Sequence, residues 1–86
     1  MDFEQAAQTI LTVKACADEE KLQIYGLFKQ GTVGDVNVRR PSGLLSFKAK
    51  AKWDAWNEKK GKSLEDAKKE YIMLVKSIMA RPGNSV

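Results

Sequence analysis

Apolar residues recur along this chain at three- and four-residue intervals, and no stretch keeps the strict alternation of a half-buried strand. Four helical segments follow from that pattern. The first runs from about Asp2 to Lys14, with Asp2 as N-cap and Gln5 placed to close a capping box. Its apolar stripe is Phe3, Ala6, Ala7, Ile10 and Val13. The second begins after Asp18, whose neighbours Glu19 and Glu20 suit the positive end of a helix dipole. It ends near Gly34, a residue able to take the left-handed conformation that closes helices. Residues 35–45, DVNVRRPSGLL, hold Pro41 and Gly43 and no helical period, which predicts a long ordered connection. The third helix starts around Ser46 and ends near Gly61. The fourth opens with SLED, where Ser63 caps and Asp66 takes the capping-box position. Its stripe is Leu64, Ala67, Tyr71, Leu74, Val75 and Ile78, and Pro82 stops it after Arg81. The last six residues, RPGNSV, are expected to fray.

Four amphipathic helices in 86 residues predict one all-α domain over 1–86, a small helix bundle. The 35–45 connection is long for a tight hairpin and could carry the third helix parallel to the second. Simple up-down-up-down order therefore does not follow.

Composition narrows the function. The single cysteine, Cys16, excludes an internal disulfide, and with no histidine a zinc or haem site lacks ligands. No apolar run approaches the roughly 20 residues of a membrane span. The start, MDFEQAAQ, carries two acids and no basic stretch, so no secretory signal is expected, and a soluble intracellular protein is. Net charge is +4, and Arg39–Lys62 holds eight basic residues against Asp54 and Glu58. Such a stretch favours an anionic partner: nucleic acid, phospholipid or a phosphorylated small molecule.

Candidate chemistry centres on cations at apolar positions. In YGLFKQGTVGD, Tyr25, Phe28, Lys29 and Thr32 share one helix face, and Lys29 falls inside the stripe between Leu22 and Tyr25. It is either a snorkelling side chain or a pocket cation awaiting an anion, because an unpaired ammonium is costly to desolvate. In FKAKAKWDAWNEKKG, Ala49, Trp53 and Trp56 lie on one side with Lys52 bordering them, and Lys50 points away as solvated surface. The tryptophans suit core packing, but an aromatic face beside lysines also holds bases or an adenine ring. Tyr71 brings a hydroxyl into the fourth stripe that wants a partner if buried. Together these residues describe a groove with an apolar floor and cationic groups at one end. Catalysis finds little support: a hydrolytic triad lacks its usual histidine base, Cys16 has no evident activating neighbour, and GTVG lacks the Lys-Ser/Thr of a phosphate loop.

The segments YGLFKQGTVGDVN, the Arg-Pro of the connection, KAKWDAWN and EDAKKEYI together resemble the acyl-CoA-binding protein family, in order from about Phe3 to Ile78. The resemblance implies a four-helix bundle of up-down-down-up topology that reversibly binds long-chain fatty acyl-CoA, one to one and without chemistry. It further implies a carrier and pool former that shields the thioester and delivers the ester to enzymes of lipid metabolism. By motif, Tyr25, Lys29 and Lys52 correspond to contacts of the ribose 3′-phosphate, Tyr71 to the residue packing on adenine, and Phe28 to the lining. Ala7 matches a small residue where backbone nears the ligand, and Leu11 and Trp53 complete the candidate contacts. Leu11 stands where many members carry a basic residue, Phe28 replaces a common tyrosine, RPSGLL is one residue longer than usual, and ACADEE one shorter. The expected protein is a cytoplasmic monomer without cofactor, metal or catalytic residue. Its partner is fatty acyl-CoA, with transient contact to acyl-CoA-using enzymes, no nucleic acid and no stable membrane insertion. A nucleic-acid module using Arg39, Arg40, Lys48, Lys52 and the tryptophans is the rival, and a membrane-surface or helix-groove module a third reading. Neither accounts for Tyr25, Lys29 and Tyr71 on core-type positions of separate helices.

Overall fold

Asp2 caps the first helix as its sequence predicts. Its carboxylate accepts the Gln5 N–H at 2.8 Å while the Gln5 side chain accepts the Asp2 N–H at 2.9 Å. A computed structural model describes residues 1–44 and 46–84. Helix α1 spans Phe3–Thr9 and tightens into a 3₁₀ turn over Ile10–Thr12, ending short of Lys14. Thr9, Ile10, Thr12 and Val13 are all β-branched and disfavour helix, and the Thr12 hydroxyl bonds back to the Thr9 carbonyl at 2.7 Å. Val13 is already extended. Helix α2 covers Asp18–Thr32, starting one residue earlier than predicted, and the chain leaves it through Gly34 at φ +97°. Helix α3 is Phe47–Asn57, with a turn in place of its predicted last residues up to Gly61. Helix α4 runs Leu64–Met79, capped by the Ser63 hydroxyl, which accepts the Asp66 N–H at 3.0 Å. No strand occurs among the described residues. Leu45 of the predicted connection, and Ser85 and Val86 of the predicted frayed end, lie outside them.

Contacts between helices fix the topology. Tyr25 meets Lys52 and Lys29 meets Trp56, so α2 and α3 advance together and run parallel. Gly31 lies against Lys68 while Glu20 pairs with Arg81, so α2 and α4 run antiparallel. Phe3 packs on Tyr71 and Ala15 bonds Asn84, which sets α1 along the direction of α4. The order is up-down-down-up. Gly26 permits the α2–α3 approach, because a Cβ there would sit 2.5 Å from the Ala55 carbonyl oxygen. The core cluster joins Ala6, Leu27, Tyr71 and Val75 of α1, α2 and α4, with Ile24 and Leu74 packed against it. Burying one such aliphatic side chain contributes roughly 1.5–3 kcal/mol.

A parallel α3 requires the connection after α2, residues 33–44, to travel back along it, about 16 Å for eleven residues. Side chains of α3 lace that connection down. Trp56 Nε1 donates to the Gly34 carbonyl and Trp53 Nε1 to that of Val38, both at 2.8 Å. Asp54 takes a two-pronged bond from Arg40, at 2.8 and 3.0 Å. Lys50 Nζ donates to the Gly43 carbonyl at 2.7 Å. The expectation that Lys50 is solvated surface is therefore corrected: it is a tether. The expectation of a frayed end is corrected too for residues 81–84, since Asn84 is only 4% exposed.

Candidate functional site

Between the parallel α2 and α3 lies a recess of about 530 Å³ floored by Leu22, Tyr25, Phe47 and Ala51, with Lys48 and Lys52 at its edge. Tyr25 and Lys52 also line a smaller recess of about 210 Å³ that continues toward Val38, Pro41, Trp53 and Trp56. A third recess, of about 550 Å³, opens where α1, α2 and α4 meet, lined by Phe3, Ala7, Phe28, Thr32, Leu64 and Lys68. Volumes of this size suit small-molecule ligands.

Each site lysine is held over a ring. Lys29 Nζ sits 4.8 Å from the Trp56 ring centre, and Lys52 Nζ sits 5.5 Å from that of Tyr25. A ring face attracts an ammonium without neutralising it, so both charges stay available to an anion. Lys29 is half-buried inside its stripe, where aromatic contact compensates part of the lost water. Other members of the basic stretch are engaged within the protein. Arg40 is paired with Asp54, Lys50 with the Gly43 carbonyl, Lys59 with Gln23 at 2.6 Å, and Lys62 with Glu70. Ion pairing offsets the charge of Arg40 and Lys62, while Lys50 and Lys59 keep theirs on neutral acceptors.

The predicted residues fall into two groups and an outlier. Tyr25, Lys29, Lys52 and Trp53 gather around α2 and α3, and Ala7 and Phe28 line the third recess. Tyr71 lies beneath that recess, 2% exposed, packed on Phe3 at 4.9 Å and Phe28 at 6.0 Å between ring centres. Burial pushes its phenol above the ordinary value, so it stays neutral at physiological pH. Expected as the residue packing on adenine, Tyr71 is covered in this structure; the more open ring is Phe28, 38% exposed and stacked on Phe3. Leu11 stands on the 3₁₀ turn, 78% exposed, and lines none of the three recesses. Trp56 is core, as one of its two readings holds.

Sequence reasoning passed over Phe47 and Lys68. Phe47 shares a face with Ala51, four residues on, and Lys68 with Leu64 and Tyr71, so helical spacing carried the signal. Lys68 Nζ lies 5.7 Å from the Phe3 ring centre, at the edge of the third recess. Burial, followed by the charge of Glu20, pushes the Cys16 thiol up, away from the reactive thiolate. Among the described residues no group of three or more His, Cys, Asp or Glu side chains could hold a metal, and no helix is long and apolar enough to cross a membrane.

Fold and recesses together define a small all-α helix bundle with apolar recesses bordered by lysines. The family model described as acyl-CoA-binding protein matches residues 1–75. Acyl-CoA-binding protein homolog 1 of Caenorhabditis elegans is 46% identical over 84 residues, 96% of each chain. The Drosophila melanogaster homolog is 49% identical over 80 residues, 92% of each. Among solved structures, Oryza sativa acyl-CoA-binding protein 2 superposes with a TM-score of 0.89 at 41% identity, covering 98% of this chain and 93% of that one. The yeast acyl-coenzyme A binding protein gives 0.72 at 42%, covering 96% and 95%. The chain belongs to the acyl-CoA-binding protein family.

Proposed function

We propose that this protein reversibly binds long-chain fatty acyl-CoA, carries it as a pool, shields its thioester and yields it to lipid-metabolising enzymes through transient contacts. The observation that carries the reading is the pair of ring-held lysines, Lys29 and Lys52, beside an apolar recess between parallel helices. In this reading the acyl chain lies over Leu22, Phe47 and Ala51, the 3′-phosphate meets Tyr25, Lys29 and Lys52, and Trp53 borders them. The nucleoside enters the third recess by Ala7 and Phe28, where reaching Tyr71 requires Phe3 or Phe28 to swing aside. Leu11 lies outside the described recesses and contributes no phosphate contact. The protein acts as a cytoplasmic monomer, binds without transforming its ligand, and needs no cofactor or metal.

The energetics divide the labour. Fifteen buried methylenes at about 0.8 kcal/mol each give on the order of 12 kcal/mol gross, against association costs of roughly 4–15 kcal/mol. Apolar burial alone is marginal, so the phosphate contacts supply both net affinity and identity. Calorimetric titration with palmitoyl-CoA tests this: saturation at one equivalent is expected, with CoA and free palmitate each far weaker. Palmitate binding as tightly as palmitoyl-CoA would sink the reading.

A further inference from the structure

Beyond α4 the chain folds back onto the start of α2, and two side chains fasten it there. Asn84 uses its amide fully. Its Oδ1 accepts the backbone N–H groups of Lys14 at 2.9 Å and Ala15 at 2.6 Å. Its Nδ2 donates to the carbonyls of Ala15 at 2.8 Å and Ile78 at 2.7 Å. One buried side chain thus joins the α1–α2 turn to the end of α4. Beside it, Arg81 grips the Glu20 carboxylate with two nitrogens, one of them at 2.6 Å. Glu20 also accepts the Ala17 N–H at 3.0 Å, closing the first turn of α2.

That same turn is one wall of the α2–α3 recess. Glu20 faces α4, while Asp18, Lys21 and Leu22 line the recess opposite Phe47 and Lys48. On the recess side little restrains it: Phe47 is 72% exposed, and Asp18 and Lys21 form only an exposed 3.8 Å ion pair. The N–H groups of a helix's first turn lack acceptors within the helix, and helix ends are where local opening costs least. The restraint on this wall therefore comes from behind, from α4 and residues 81–84.

We propose that Asn84 and the Arg81–Glu20 pair are a positioning clasp that sets the wall of the acyl recess, tuning affinity for long acyl chains while leaving recognition of the CoA head unchanged. It rests on the reading that this recess takes the acyl chain. Seven residues separate Lys29 from Leu22, about 10 Å along the helix. A longer acyl chain covers more of the recess and so meets the clasped turn over more of its length than a short one.

The test is calorimetric titration of the full chain, as wild type, Asn84→Ala and Glu20→Gln, with palmitoyl-CoA and octanoyl-CoA. The two variants are expected to bind palmitoyl-CoA about five- to tenfold more weakly and octanoyl-CoA within about twofold of wild type. Amide exchange should quicken over residues 17–22 and stay unchanged over 26–31. Equal losses for both ligands, or unchanged palmitoyl-CoA binding, overturn the proposal. Should Asn84→Ala fail to fold by circular dichroism, Glu20→Gln decides alone, since it removes the charge that pairs with Arg81 and keeps an acceptor for Ala17. Wild type that does not bind palmitoyl-CoA would instead overturn the acyl-CoA reading beneath it.

Discussion

Lys29 and Lys52 present their ammonium groups over rings of the opposite helix, each bridging α2 and α3 before any ligand arrives. Replacing either by alanine should weaken palmitoyl-CoA binding by about 1.5–3 kcal/mol, the value of a charge-assisted hydrogen bond. Acyl-dephospho-CoA, which lacks the 3′-phosphate, should bind the two variants nearly as well as it binds wild type, because the partner is already gone. Full mutational cost with that ligand would show that the lysines act elsewhere. Lys50, two positions from Lys52, serves a different end, since its bond to Gly43 holds the connection. Sequence spacing separated those two lysines correctly as unlike. It misjudged what Lys50 does, because Gly43 approaches only once the connection has folded back along α3.

Element pairs add what single residues cannot. The α2–α3 contact depends on Gly26, where an added Cβ would lie 2.5 Å from the Ala55 oxygen and 2.9 Å from its carbonyl carbon. Gly26→Ala should destabilise the protein by about 1–3 kcal/mol, the usual cost of overpacking, despite its better helix propensity. Urea denaturation measures it, and a stabilised variant would disprove so close an approach. Helix starts were legible because their signals are local: Asp2 with Gln5 and Ser63 with Asp66 lie within a few residues of what they cap, whereas the ends expected near Lys14 and Gly61 came earlier. The lacing of the connection and the clasp were not legible. Asn84 bonds to backbone 69 and 70 residues away, and no periodicity announces such a partner. Tyr71 illustrates the same limit within the site. Its stripe position predicts an inward face, but its depth is set by where Phe3 and Phe28 settle.

Across the described residues, three carboxylates sit below their ordinary ranges, and each joins separate segments. Glu20 is lowered chiefly by its bond from Arg81, Asp35 by the Gly61 N–H and then Gln30, and Asp54 by Arg40. Each is less acidic in the unfolded chain, near 4.5 for Glu and 3.8 for Asp, so their stabilisation is complete above those values. It is lost as pH falls through the lower folded values. Without histidine, no side chain of ordinary pKa titrates between about 5 and 8. Thermal midpoints should therefore stay level from neutral pH down to about 5 and drop below about 4, with Asp35→Asn showing a shallower acid fall. Among the described residues the main core cluster joins α1, α2 and α4, while α3 buries Ala55 and Trp56 at its contact with α2. Helix α3 thus meets the rest of the molecule along its seam with α2. The cleft follows that seam. In the proposed reading a ligand bridging it acts as mortar between α2 and α3, and the work of opening the seam rises with the logarithm of ligand concentration.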